Sequence, residues 1–181
     1  MVHIKKLKII MISIILAVIA LIPNNVLADG PSYDITNYDM DAYIQEDGTI
    51  HIDESITYYF SSSANGLTRD LRYFYKTNKD SMEPNSARYQ ATGIENITVA
   101  VTNPANITTN FTKASNAEKG DNGVYTVDAV NADRTDGYDI MVYSPISSNN
   151  FQTVHYSYDI TDAVVQYNDM SEIYYNFIGN G

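Results

Sequence analysis

The chain predicts an all-β fold, an immunoglobulin-like antiparallel β-sandwich of about seven or eight strands. Three observations carry this. Apolar and polar residues alternate with period two in segment after segment. Turn signals separate these segments every ten or so residues. Helical spacing of apolar residues is almost absent, and uneven loop lengths favour two open sheets over a closed barrel.

The segments run in order. Tyr38, Met40, Ala42 and Ile44 alternate with Asp39, Asp41, Tyr43 and Gln45, which predicts a half-buried strand. Glu46-Asp47-Gly48 is a turn, with Gly48 free to take positive φ. Ile50, Ile52, Ile56, Tyr58 and Phe60 share one parity of the next strand; Thr49, His51, Asp53, Ser55, Thr57 and Tyr59 share the other. The two strands should form a hairpin. Residues 61–66 read as a polar loop, and 67–75 as a short strand or irregular ledge. Residues 76–89 read as a long exposed loop. Further strands are predicted at 94–102, where Ile97, Val99 and Val101 alternate, and near 107–111, 124–130, 138–143 and 152–160. Asn103-Pro104, residues 120–123, Asp136-Gly137 and residues 147–150 supply the turns between them. In the tail, Asp169-Met170-Ser171-Glu172 fits a helix capping box, while Ile173, Tyr174, Tyr175, Phe177 and Ile178 suit a buried strand equally well. Both readings stay open.

The first 28 residues form a secretory leader. Lys5, Lys6 and Lys8 precede an uncharged run from Ile9 to Ile22, Pro23 breaks it, and Val26-Leu27-Ala28 ends it, so cleavage is expected between Ala28 and Asp29. Fourteen apolar residues would span only about 21 Å as a helix, short of a ~30 Å hydrocarbon core. The signal peptide is therefore 1–28, and residues 29–181 form a single extracytoplasmic domain. That length can bury a core without staples. No cysteine occurs anywhere, which excludes disulfides, a cysteine nucleophile, thiolate metal ligation and a lipoprotein anchor.

Three of the eleven Lys and Arg lie in the leader, so the remainder carries eight against 22 Asp and Glu, a formal charge of −14. Such a surface repels nucleic acid and anionic lipid headgroups. Sixteen tyrosines, five phenylalanines and no tryptophan suit sheet faces with one buried and one wet side, and tyrosine-rich surfaces also bind sugars and proteins.

Glu54 is the most informative single residue. It sits on the apolar parity, between Ile52 and Ile56, and a lone buried carboxylate is expensive. A structural ion pair with Arg69 or Arg72, just beyond the next loop, is the expected solution. His51 and His155 fall on the polar parity and read as exposed sheet histidines rather than zinc ligands. A Ser-His-Asp arrangement is compatible with the composition, but no G-x-S-x-G elbow is present. Residues 121–123 and 133–137 are rich in oxygen ligands without the spacing of an EF-hand loop, and turn chemistry accounts for them. No catalytic residue, cofactor or metal ligand is assigned.

Taken in order, Tyr33-Asp34-Ile35, the segment 47–54, Ile56-Thr57-Tyr58-Tyr59-Phe60, Gly66 with Arg69 and Leu71, then 151–158 and 167–175, resemble the YciQ-like predicted membrane proteins. The extracytoplasmic part of that family is known as domain of unknown function 2207. Tyr175 stands where the family usually has tryptophan. Family members run on into transmembrane helices, so the resemblance implies the N-terminal portion of a longer membrane protein, attached through segments absent from this chain. It implies no catalytic residues. The expected function is a non-catalytic binding or structural domain at the outer face of a bacterial membrane, with a protein or glycan ligand in the envelope. The alternatives are a freestanding secreted adhesion or carbohydrate-binding domain and, from another class, an envelope hydrolase.

Overall fold

The computed structural model describes residues 31–75, 91–131 and 135–173, together with Tyr175 and Phe177. The leader, the loop 76–89 and part of the segment 133–137 lie outside the described residues. The fold is all-β and sandwich-like. Eleven strand segments occur among the described residues: β1 Tyr33–Ile44, β2 Ile50–Phe60, β3 Ala64–Tyr75, β4 Gly93–Thr102, β5 Thr108–Asn110, β6 Thr112–Lys113, β7 Val124–Asn131, β8 Thr135–Ile146, β9 Asn150–Thr161, β10 Val164–Gln166 and β11 Ser171–Ile173. Seven of them are eight residues or longer, which is the count the alternation predicts; two- and three-residue strands are too short to show a period.

One sheet has five strands in the order β1-β2-β9-β4-β5, and a second has four in the order β3-β8-β7-β6; β10 and β11 pair separately. Every pairing is antiparallel except the short parallel contact of β6 with β7. The chain passes from the five-stranded to the four-stranded sheet between β2 and β3 and again between β5 and β6. It returns between β3 and β4 and between β8 and β9. Consecutive strands therefore often face each other across the core instead of lying side by side.

The core forms where the apolar parities of both sheets meet. Ile50, Ile52, Ile56, Tyr58 and Phe60 of β2 and Val154, Tyr156, Tyr158 and Ile160 of β9 are buried against Leu67 and Leu71 of β3 and Ile140 and Val142 of β8. At about 25 cal/mol per Å² of apolar area, this burial is the main stabilising term.

Two local readings need correction. Residues 64–66 belong to β3, not to a loop, and Ala64 is buried. Residues 67–75 continue that strand, the first of the two readings given for them; they look irregular in sequence because Arg69 faces inward. Asp136-Gly137 is no turn, since both lie inside β8. Gly137 is needed there for close approach: a Cβ would sit 2.1 Å from the Leu71 carbonyl oxygen of the neighbouring strand. By contrast, the turn at Gly48 forms as expected, with φ at 85°. In the tail the capping box gives way to a short strand, as Val164 to Gln166 pair with Ile173 to Ser171. Of the buried strand read at 173–178, only Ile173 is in a strand; Tyr175 and Phe177 are not, and Tyr174 and Ile178 lie outside the described residues.

Gly137→Ala should destabilise the fold by about 1–3 kcal/mol or more, because the clash is with backbone and cannot be relieved by a rotamer change. Urea denaturation followed by circular dichroism checks this; an unchanged midpoint would contradict the packing described.

Candidate functional site

Two clusters of polar side chains stand out, one inside the sandwich and one on its outer surface. The inner one is built from alternation itself. Glu54 points inward between Ile52 and Ile56 on β2, and Arg69 points inward between Leu67 and Leu71 on β3. The two meet across the core. Arg69 Nε donates to Glu54 Oε1 at 2.8 Å and Nη2 donates to Oε2 at 3.0 Å, a side-on bidentate pair. The Tyr38 hydroxyl of β1 donates to the same Oε2 at 2.7 Å. The Glu54 side chain is 0% exposed and that of Arg69 11%. Burial and the Glu54 carboxylate push the Tyr38 hydroxyl up to about 12, so it stays a donor at physiological pH.

Arg72 does not join this cluster. Its guanidinium donates to Asp139 Oδ1 at 2.6 Å and to the Tyr138 carbonyl at 2.9 Å, with Asp70 at 3.6 Å. The register shift between Arg72 and Phe74 marks where β3 departs from regular pairing, beside the glycine at 137.

The outer cluster lies on the polar parity of the five-stranded sheet, where cross-strand partners face each other directly: His51 with Asp159, Asp53 with Ser157, Ser55 with His155, Thr57 with Thr153, and Tyr59 with Phe151. His51 Nδ1 is 2.6 Å from Asp159 Oδ1, while its Nε2 faces Asp53 at 3.5 Å and Ser157 Oγ at 3.4 Å. Asn96 Nδ2 donates to the second Asp159 oxygen at 2.7 Å. Asn96 reaches it from the bulge in β4 between Glu95 and Thr98, with φ at 53°. The hydrogen bond from Asp159, with help from Asp53, raises the His51 pKa above its ordinary value. Burial acts against ionised Asp159, but its bonds to Asn96 and His51 outweigh that and hold it low. His155 lies between Ser55 Oγ at 2.7 Å and Thr102 Oγ1 at 2.8 Å, with no carboxylate bonded to it, and burial lowers its pKa. Neither histidine is the simple exposed sheet residue that parity suggests; each is half-buried by its cross-strand partners.

The order Ser157–His51–Asp159 is that of a nucleophile, base and orienting acid. A second carboxylate, Asp53, faces the ring nitrogen that would take the serine proton. Both carboxylates raise the affinity of the His51 ring for a proton.

A cavity of about 530 Å³ is lined by residues of both parities: Asp53, Ser55, His155 and Ser157 together with the core residues Glu54, Tyr125 and Tyr156. Aromatic rings stand at both ends of the row: Tyr43 against His51 at one, and Tyr59 against Phe151, centroids 5.0 Å apart, at the other. The five-stranded sheet contains seven Asp and Glu and no Lys or Arg. Among the described residues no group of three or more His, Asp and Glu is arranged to hold a metal ion. The Asp121 carboxylate accepts from the Glu118 backbone N–H at 2.8 Å, as a turn residue does.

The family model described as the N-terminal domain of a predicted membrane protein (DUF2207) matches residues 34–181. The chain belongs to this family. No curated protein and no solved structure matches it. For the DUF2207 domain the comparison establishes membership in a predicted membrane protein of unknown function. No helix among the described residues is long and apolar enough to cross a membrane.

Of the residues singled out in the sequence of this DUF2207 domain, Glu54 and Arg69 are brought together and Arg72 is not. Sequence reasoning missed Tyr38 as the third member, although its inward parity was visible. It also missed the pairing of His51 with Asp159, which are 108 residues apart and share only their polar parity.

Removing either partner of the inner pair strands a buried charge. Glu54→Ala should cost about 3–5 kcal/mol. Replacing both Glu54 and Arg69 by methionine should recover most of that loss, giving strong non-additivity in a double-mutant cycle. Additive losses would refute the coupling.

The two histidines make opposite pH contributions. His51 stabilises fully below its ordinary value of 6.5, and that contribution is lost as pH rises through its raised pKa. His155 is the reverse: stability falls as pH drops from 6.5 through its lowered pKa. An NMR titration should show His51 titrating above 6.5 and His155 below it. The reverse order would refute the assignment.

Proposed function

We propose that the domain is a non-catalytic recognition module, displayed on the extracytoplasmic side of a bacterial membrane, that binds a component of the cell envelope. The observation that carries this reading is the outer face of the five-stranded sheet. That face has exposed rings at both ends and, between them, a row of hydroxyl, imidazole and carboxylate groups across β2 and β9. Exposed aromatic rings offer apolar contact at low entropic cost, and the row between them offers directional hydrogen bonds. A surface needed only for solubility would not require rings such as Phe151, 53% exposed, or Tyr43, 55% exposed. The apolar leader at the N-terminus supports the extracytoplasmic side. The hydrolase alternative draws on the Ser157–His51–Asp159 order.

Binding of the native protein to isolated envelope fractions tests the reading. Phe151→Ala combined with Tyr59→Ala should reduce retention about tenfold or more while leaving the unfolding midpoint within about 1 kcal/mol. Unchanged retention would remove the outer face as the binding surface. Labelling of Ser157 by a serine-reactive phosphonate would instead favour the hydrolase.

A further inference from the structure

β1 is an edge strand, and an unusual one. It is 12 residues long. Among the described residues it pairs with β2 alone, so its other side offers unpaired backbone donors and acceptors. Of the eight exposed large apolar side chains among the described residues, four are on β1: Tyr33 at 42%, Ile35 at 57%, Tyr43 at 55% and Ile44 at 62%.

The register explains why. Tyr33, Ile35, Ala42 and Ile44 stand opposite Phe60, Tyr58, Ile52 and Ile50, which are all core residues. The apolar lining of the sandwich therefore continues past β2 onto β1, where its two ends are uncovered. Only the middle is sheltered: Tyr38 and Met40 are half-buried, and the Tyr38 hydroxyl is 3.5 Å from the Phe177 carbonyl. On the other face of β1 the register aligns Asp41 with Asp53 and Asp39 with Ser55. Like charges directly opposed across strands destabilise a sheet, and this sheet holds no lysine or arginine to offset them. Edges are protected from association by being short or by charged side chains, proline or bulges. β1 is long and has no proline or lysine. Its protection is one bulge between Ile35 and Asn37 and three aspartates, Asp34, Asp39 and Asp41, a charge that repels an acidic strand but not a basic one.

We propose that β1 is a docking edge for an extended basic segment of another protein, which adds to the five-stranded sheet as a sixth strand. The proposal adds the edge of that face as a further contact and names the partner class for the recognition role above, on which it rests. Backbone hydrogen bonds supply affinity in such strand addition, and alternate side chains supply specificity. Because side chains alternate along a strand, a segment alternating apolar with basic residues places one set over Ile35, Ala42 and Ile44. It places the other set beside Asp39 and Asp41. A second copy of this chain is a poor occupant: it would set Asp34, Asp39 and Asp41 against an identical acidic strand.

The test uses the native protein in mild detergent and a capped 12-residue peptide of alternating valine and lysine. The comparison peptides are the same residues in block order and an alternating valine–glutamate peptide. Affinity is read by fluorescence anisotropy and backbone protection by hydrogen–deuterium exchange. The alternating basic peptide should bind about tenfold or more tighter than the block peptide and slow exchange on β1, with the other sheet edges unchanged. Asp39→Lys with Asp41→Lys, both at exposed positions, should invert the preference toward the glutamate peptide without lowering the unfolding midpoint. Equal binding of the block peptide, protection away from β1, or concentration-dependent protection of β1 without peptide would each overturn the proposal. Failure of peptide binding with envelope retention intact would sink this inference alone; loss of both would sink the recognition reading as well.

Discussion

The bridge between Glu54 and Arg69 is the constraint around which the sandwich is arranged. The two residues sit on consecutive strands that belong to different sheets, and their side chains meet in the layer between those sheets. A hydrophobic core is tolerant of small slips between faces, because apolar contact has no direction. A bidentate guanidinium–carboxylate pair is not tolerant. It requires two hydrogen bonds at once, and the cost of burying two charges is offset only in that geometry. The bridge thus specifies how β2 lies over β3, and Tyr38 extends the same network to β1.

That bridge also divides the charge of the molecule. Arg69, Arg72 and Lys113, the cations placed on described strands, are all in the four-stranded sheet. The five-stranded sheet keeps its acids, and only Glu54 among them is matched from across the core. The remaining carboxylates on its outer face are managed locally. Asn96 and His51 hold Asp159, and His51 shares its second nitrogen between Asp53 and Ser157. Asp39 and Asp41 have no lysine or arginine within their sheet. The sheet's field is therefore one-sided and acidic.

Much of the fold was legible in the residues because period-two alternation and turn chemistry are local properties. β2 and β9 were readable nearly to the residue, and Gly48 and residues 147–150 turned where expected. The misreadings have a common cause. Asp136-Gly137 has the composition of a turn, yet its glycine serves a neighbouring strand's backbone, a requirement set by tertiary approach. β3 looked irregular because an inward arginine breaks the apolar parity, and only its partner explains it. The tail has a capping-box pattern, but three residues of pairing with β10 outweigh a propensity worth about 1 kcal/mol.

By itself, then, the sequence determined the class of fold, the inward parity of Glu54 and the acidity of residues 29–181, since these follow from order and composition along one chain. It narrowed Glu54's partner to two arginines, Arg69 ahead of Arg72, because both lie just beyond the same loop. Tertiary structure separated them by parity: position 69 faces the core, while the guanidinium at position 72 is bonded to Asp139 of β8. It also decided which polar residues would share the outer face, which strand would be left as an open edge, and that its apolar side would reach beyond the opposing sheet. Those outcomes depend on strand order, and strand order is set by which surfaces pack together in three dimensions.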